Sequence, residues 1–343
     1  MSLEQRINHA WQQDSLWLKL MLPLSWLFSA ISALRRSYLQ WRYQGQSYAA
    51  PVIVVGNISV GGSGKTPLIV ALVRALQQRG YKPGVVSRGY GGKAAKYPLS
   101  VNVRTAVTES GDEPKLIAQL ADCPVVVDGN RRAAVAYLLS HHSCDLVLSD
   151  DGLQHYRLHR DIEIVVVDGQ RGFGNRRRLP AGPLRESPRR LGEADFVIVN
   201  GDPGTVVDGG EMHWDQMAIV PRRMRRFNHP DSQPIEQWLT EYPLKRVHGV
   251  AAIGNPQRFS LTLEELGLEV QLHSHDDHQA LSWGDLVFED DLAVIITAKD
   301  AIKLVAEAVE TPVPNLWVLE IEAEIENAFI DRLVAQLHND TNS

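Results

Sequence analysis

The chain has 343 residues, 44% of them hydrophobic and 22% charged, which is enough for one large domain or two smaller ones with ordinary cores. Its net charge of −6 argues against a general nucleic-acid binder. Cys123 and Cys144 are its only cysteines, which excludes a disulfide framework and a CxxC metal site and favours a reducing compartment.

An uncharged apolar segment, residues 20–34, lies near the start of the chain. Its 15 residues are fewer than the ~20 that a helix needs to span a bilayer, and no small-residue cleavage motif of a secretory signal follows it. Two interpretations remain, a buried core helix and a helix lying in the lipid headgroup layer. The surrounding tryptophans and basic residues favour the interfacial helix, within residues 1–45: Trp11, Trp17, Lys19, Trp26, Arg35, Arg36, Trp41.

From Pro51 onward, short apolar runs alternate with helical segments such as 67–79 and 114–121. Runs of this kind are typical of strands buried on both faces, and they cover 51–55, 84–86, 124–127, 145–148, 162–167 and 196–199. The alternation predicts a doubly wound, mostly parallel α/β sheet.

A polar stretch, 221–245, is interpreted as a linker because it combines clustered arginines with NHPDSQP. Strand-like runs resume after it and predict a smaller second α/β lobe: 247–253, 268–272, 292–297, 315–321. The expected organisation is an N-terminal membrane-interface segment (1–45), a P-loop NTPase-like kinase domain (46–225) and the smaller lobe (226–343).

The strongest motif is a glycine-rich loop between a strand, 52–55, and a helix. Its glycines let backbone N–H groups surround phosphate oxygens, and the helix N-terminus adds a favourable dipole. Lys65 is expected to reach the β- and γ-phosphates of a nucleotide, and the Thr66 hydroxyl to bind Mg²⁺. The usual phosphate-loop pattern has glycine at the position that Ser59 occupies in this chain. The predicted nucleotide-binding residues are Ser59, Val60, Gly61, Gly62, Ser63, Gly64, Lys65 and Thr66.

A second strand-like run ends in paired carboxylates, Asp150 and Asp151. Parallel strands bring their carboxyl ends to one edge of the sheet, so these acids should meet the glycine-rich loop. Either can hold Mg²⁺; we assign Asp150 to the metal and Asp151 to the catalytic centre, against the alternative of a pair that caps a turn. A late strand ends in TAKD (297–300), which lacks the spacing of a guanine clamp and favours ATP over GTP.

Further segments resemble one family, the tetraacyldisaccharide 4′-kinases, in the same order along residues 50–305. The matching segments are GNISVGGSGKTP, SRGYGG, GDEP, DDGLQH, LPAGPLRE, IGNP with RF, DH and TAKDAIKL. The resemblance implies transfer of the γ-phosphate of ATP, with Mg²⁺, to the 4′-hydroxyl of a tetraacyl glucosamine disaccharide 1-phosphate. The product is lipid IVA, an intermediate of lipid A synthesis at the cytoplasmic face of the bacterial inner membrane.

The resemblance also implies a catalytic pair, Asp112 in GDEP and His278 in the DH motif, with His275 as the alternative partner. Asp112 alone could equally be a helix N-cap. The basic stretch Arg171–Arg190 is either a solvated loop or a binder of substrate phosphate and anionic headgroups. Within it, Arg185 is the candidate for neutralising charge on the moving phosphoryl group.

The expected partners are therefore the lipid substrate and an anionic membrane surface, with no nucleic acid and no obligate protein partner. A P-loop GTPase or ATPase that acts as a switch or metallochaperone is the rival class. It predicts a guanine motif or a Cys/His metal site, and the sequence contains neither.

Overall fold

In the computed structural model of the chain, the structure describes residues 3–204, 213–229, 231–277, 279–304 and 315–341. The chain begins with helix α1 (Leu3–Gln12), a 3-10 helix (Leu16–Met21) and helix α2 (Leu22–Arg42). Only Ser25 and Leu39 of α2 are buried, so α2 is not a core helix.

The helical segment at the N-terminus is longer than the sequence indicated. It runs from Leu16 to Arg42, 27 residues, and by length and composition alone it could cross a membrane. The prediction that this segment is too short to span a bilayer is therefore wrong, because the helical segment continues past the charged residues at both ends of the uncharged run.

Seven strands form the first part of the sheet, and they follow the predicted apolar runs closely apart from the short edge strand β3. They are β1 (Val52–Gly56), β2 (Pro83–Ser87), β3 (Leu99–Val101), β4 (Val125–Val127), β5 (Leu146–Asp150), β6 (Ile162–Asp168) and β7 (Phe196–Asn200). All but β3 run parallel, in the order β7-β6-β1-β5-β2-β4-β3. The connecting helices are α3 (Lys65–Gln78), α4 (Val107–Ser110), α5 (Asp112–Leu120), α6 (Arg131–His141) and the 3-10 helix Pro188–Glu193.

This arrangement confirms the predicted doubly wound α/β sheet. Every residue of β1 is buried, because α3 covers one face and α6 contributes to the cover of the other. The apolar residues of β1 alternate between the two apolar clusters: Ile53 and Val55 face α3, whereas Val52 and Val54 face α6.

The same sheet continues through the C-terminal part of the chain, in the order β11-β10-β12-β13-β8-β7. Its elements are β8 (Asp215–Arg226), β9 (Ser232–Pro234), α7 (Ile235–Glu241), β10 (Arg246–Ala251), α8 (Pro256–Glu265), β11 (Glu269–Ser274), the 3-10 helix Trp283–Leu286, β12 (Ala293–Thr297), α9 (Ala298–Leu304), β13 (Leu316–Ile325) and α10 (Asn327–Thr341). The linker interpretation of 221–245 is wrong, since that stretch contains the end of β8, β9 and α7. The division at residues 45 and 225 stays a prediction.

Strands β8 and β13 join the two parallel regions as a long antiparallel pair. β8 is parallel to β7, and β13 is parallel to β12. The pairing of β8 with β13 shifts register between Glu320 and Ile321, which marks a bulge. The two parallel regions therefore run in opposite directions. The last residues of strands from both regions, Asp150 of β5, Asn200 of β7 and Thr297 of β12, line one cleft of about 1440 Å³ between them.

Candidate active site

The phosphate loop, residues 57–64, connects β1 to α3. Gly61 and Gly64 have φ of +100° and +93°, a conformation that favours glycine. A Cβ on Gly61 would lie 2.8 Å from the Arg171 guanidinium. Ser59 occupies the position at which the usual pattern has glycine. It forms an isolated β-bridge with Leu184 and its φ is not positive, so no glycine is needed there.

Asp151 lies between two cations of the predicted set. Its carboxylate is 3.4 Å from Lys65 Nζ and 3.2 Å from Arg185 Nη1. Burial raises the pKa of Asp151, but Lys65 and Arg185 outweigh that effect and hold the pKa below its usual value. The backbone N–H of Arg185 donates to Ile58 O at 2.7 Å, which fixes its loop against the phosphate loop. The three charged groups predicted for the reacting phosphates are thus brought together.

Asp150 is 1% exposed and has a different environment. Ser87 Oγ donates to Asp150 Oδ2 at 2.9 Å, whereas Oδ1 is buried without a hydrogen-bond partner among the described residues. Burial, followed by the charges of Glu113 and Asp151, raises the pKa of Asp150 to about 7. A bound divalent cation would satisfy the orphaned oxygen and favour the ionised form, so the site fits Mg²⁺.

The rest of the donor set agrees with magnesium. Thr66 lines the same cleft as Asp150. No cluster of three or more His, Cys, Asp or Glu side chains among the described residues could hold a metal ion unaided. Mg²⁺ at nucleotide sites takes one or two carboxylates together with phosphate oxygens and waters, so a larger protein cluster is not required.

Asp112 is the first residue of α5 and is 5% exposed. Its Oδ1 accepts from the backbone N–H of Glu113 at 3.0 Å, and its Oδ2 lies 3.4 Å from Lys299 Nζ. Lys299 also lies 3.5 Å from Asp277 Oδ1. Burial lowers the pKa of Lys299, but the carboxylates of Asp112, Glu113 and Asp277 outweigh burial and raise it.

The predicted histidine partner of Asp112, His278, lies outside the described residues. Its neighbour Asp277 is nevertheless brought to Asp112 through the shared contact with Lys299. The alternative partner, His275, follows the end of β11, where its backbone N–H donates to Ala251 O.

Sequence reasoning missed the side chains that join the two parts of the sheet at the cleft. Arg258 Nη2 donates to Asn200 Oδ1 at 3.0 Å, and Asn200 Nδ2 donates to the Ser63 carbonyl of the phosphate loop at 3.1 Å. Arg258 also faces Asp168 at 3.4 Å. Asp168 and Asn200 end β6 and β7, and the rule that placed Asp150 at the cleft could have identified them.

The basic stretch Arg171–Arg190 is not one solvated loop. Arg171 Nη2 donates to Gly254 O at 2.7 Å across the cleft. Arg190 is 3% exposed and forms an ion pair with Glu163. Part of the positive charge in this stretch is therefore internal and structural.

A phosphate loop that opens a helix, with its lysine beside an acid at the end of the adjacent strand, defines a P-loop phosphotransferase. A family model described as tetraacyldisaccharide-1-P 4′-kinase (LpxK) matches residues 17–338, and the chain belongs to this family. The family consists of kinases of lipid A synthesis.

Relatives and a solved structure agree with that assignment. A tetraacyldisaccharide 4′-kinase of Methylobacillus flagellatus is 42% identical, covering 98% of this chain and 97% of its own length. That of Hahella chejuensis is 43% identical, covering 97% and 96%. The "apo" form of LpxK from Aquifex aeolicus in complex with ATP has a TM-score of 0.76 at 27% identity, covering 94% of this chain and 99% of that one.

Proposed function

We propose that the chain transfers the γ-phosphate of ATP to the 4′-hydroxyl of a tetraacyl glucosamine disaccharide 1-phosphate, with Mg²⁺, and so forms lipid IVA. The observation that supports this most strongly is the convergence of Lys65, Asp151 and Arg185 beside Asp150, whose buried Oδ1 has no hydrogen-bond partner in the described parts of the chain. The names of the relatives and the ATP bound to the Aquifex aeolicus enzyme support the choice of acceptor and nucleotide.

In this proposal, the cations around Asp151 handle the phosphates. Lys65 and Arg185 neutralise charge on the moving phosphoryl group, where fixed charges in a water-poor site act most strongly. Thr66 and Asp150 would hold Mg²⁺, which supplies further neutralisation of the phosphate oxygens when bound. Asp151 keeps the two cations aligned with each other.

Asp112 is proposed to receive the proton of the sugar hydroxyl. A hydroxyl is too weak an acid to ionise first, so the proton leaves late, as the bond to phosphorus forms. Lys299 Nζ lies 3.4 Å from Asp112 Oδ2 and holds this side chain in place. His278, as the family resemblance implies, is proposed to orient Asp112.

We further propose that α2 docks the protein peripherally on the anionic cytoplasmic face of the inner membrane. One side of α2 is fixed to the protein: Ser25 Oγ donates to Arg178 O at 2.8 Å and accepts from the Ala181 N–H at 3.0 Å. Exposed apolar residues lie along the rest of α2 and on the 3-10 helix before it: Leu16, Trp17, Leu20, Leu24, Trp26, Leu27, Ile31, Leu34 and Trp41. A helix held along one side cannot cross a bilayer without losing those contacts, so it lies in the interface.

The predicted headgroup contacts change in one respect. Lys19 and Arg35 are exposed, whereas Arg36 forms ion pairs with Glu186 and Glu193 of the protein. Of the three predicted headgroup contacts, Lys19 and Arg35 therefore remain exposed to anionic lipids, and Arg35 also donates one hydrogen bond to the Gln154 carbonyl.

The deciding experiment is incubation with labelled ATP and the tetraacyl disaccharide 1-phosphate in detergent micelles, followed by chromatography of the lipid. We expect label in a lipid product with one additional phosphate, dependent on Mg²⁺ and preferring ATP to GTP. Release of labelled phosphate to water without a labelled lipid would instead support the rival class of nucleotide-hydrolysing switches.

A further inference from the structure

Glu186 is a partly buried carboxylate next to Arg185 that the proposed reaction does not use. Its side chain is 12% exposed and accepts hydrogen bonds from Gln154 Nε2 at 2.8 Å and Tyr156 Oη at 2.6 Å. Arg190 Nε lies 3.6 Å away, and Arg36 Nη1 of helix α2 lies 3.9 Å away. Glu186 therefore joins three separate segments of the chain at one point.

Gln154 carries this connection into the active site. Its Nε2 also donates to the Asn57 carbonyl of the phosphate loop at 3.0 Å, and its Oε1 accepts from Arg185 Nη1 at 3.3 Å. Arg185 faces Asp151 at 3.2 Å, and Asp151 faces Lys65 at 3.4 Å. A continuous series of polar contacts thus runs from Glu186 to the phosphate-binding lysine.

Helix α2 meets the other end of this series. The Arg36 guanidinium lies 5.3 Å from the centroid of the Tyr156 ring and also forms an ion pair with Glu193. Arg35 Nη1 donates to the Gln154 carbonyl at 3.4 Å. Two consecutive arginines of the exposed apolar helix therefore contact the residues that hold Arg185.

We propose that Glu186 is a positioning residue, which holds Gln154 and thereby the Arg185 guanidinium in place and connects both to helix α2 through Arg36. The inference rests on the proposed kinase function, and wild-type activity in the lipid assay tests that function separately. The physical reason is geometric, because a displacement of about 1 Å at a reacting centre can cost on the order of a hundredfold in rate.

The test compares Glu186→Gln with Glu163→Gln. Glu163 is a matched control, since its side chain is 11% exposed, pairs with Arg160 and shares the partner Arg190, yet it lies in β6. We expect Glu186→Gln to lower kcat by about tenfold or more with little change in the KM for ATP. We expect Glu163→Gln to lower the melting temperature and leave kcat within about twofold.

Double variants separate positioning from general destabilisation. If Glu186 acts through Arg185, Glu186→Gln has no further effect on kcat in an Arg185→Ala background, because the interacting pair is not additive. Likewise, the single variant Arg36→Met should lower kcat, but Arg36→Met should cause no further decrease in kcat when Glu186→Gln is already present. If Glu186→Gln does not fold, Tyr156→Phe removes one donor to the same carboxylate and should lower kcat several-fold, again without further effect in the Arg185→Ala background.

The proposal is overturned if Glu186→Gln lowers kcat by the same factor in the Arg185→Ala background as in the wild type. It is also overturned if Glu186→Gln and Glu163→Gln lower kcat by the same factor. An Arg36→Met loss that adds in full to that of Glu186→Gln would overturn the connection to α2.

Discussion

Replacing four exposed apolar residues of the N-terminal helical segment with serine should release the protein from membranes without unfolding it. The residues are Leu20, Leu24, Leu27 and Ile31, whose exposed fractions are 77%, 52%, 57% and 56%. Because these side chains are at least half exposed in the structure, their removal leaves little new cavity in the protein. A core helix would behave oppositely, with unfolding or aggregation.

The size of the effect follows from the exposed fractions. Full burial of a leucine or isoleucine side chain stabilises by about 2 kcal/mol, so the exposed portions of the four contribute about 5 kcal/mol to membrane partitioning. Since about 1.4 kcal/mol is a tenfold change in an equilibrium constant, the variant should bind vesicles more than roughly a thousandfold less tightly.

The assay is flotation with anionic vesicles, together with the KM values for lipid and ATP and thermal melting. We expect loss of flotation, a higher KM for lipid than for the wild type, a nearly unchanged KM for ATP and an unchanged melting temperature. Leu39→Ser, at a residue of α2 that is 4% exposed, is the control for unfolding and should lower the melting temperature. A folded quadruple variant that still floats and keeps its KM for lipid would refute the docking role of this face.

Lys65→Ala should lower kcat by about a hundredfold or more, because its charge on the phosphates is lost; near-normal turnover of the folded variant would refute the nucleotide site. Asp150→Ala should shift the Mg²⁺ requirement curve, whereas Asp112→Ala should lower kcat with that curve nearly unchanged. Rescue of Asp112→Ala by excess Mg²⁺ would mean that the two roles are exchanged. Burial, together with Arg131, lowers the pKa of His155 to about 4 from 6.5, so the unfolded chain takes up this proton first as pH falls. The stability of the wild type should therefore decrease as pH falls from 6.5 towards 4, and that of His155→Asn should decrease by less. If thermal melting shows the same decrease for both proteins, His155 is not the cause.

Much of the fold could be predicted from sequence because parallel strands buried on both faces read as continuous apolar runs. The runs 52–55 and 162–167 illustrate this, since both became central strands. Strand β8 could not be recognised in the same way. It carries PRRMRR, and its charged side chains are accommodated by ion pairs with the facing strand, as between Arg225 and Glu320.

The residues of the candidate site also differ in how far the sequence predicts them. Residues fixed by their own local motif, such as Lys65 and Asp151, were predictable, because a loop and a strand end place them. Lys299 lies in the TAKD segment, but nothing in that segment alone predicts a role for it. Its importance depends on Asp112 and Asp277, which are distant in sequence and meet it only in the folded sheet.

The antiparallel pair of β8 and β13 has a mechanical consequence. Any rotation of the C-terminal strands relative to the phosphate loop must twist this hydrogen-bonded ribbon, and the bulge at Glu320 and Ile321 is where it bends most readily. The torsional stiffness of the ribbon depends in part on ion pairs across its surface, including Arg222 with Glu324. Because such exposed pairs weaken as ionic strength rises, the ribbon should twist more easily at high salt concentration than at low.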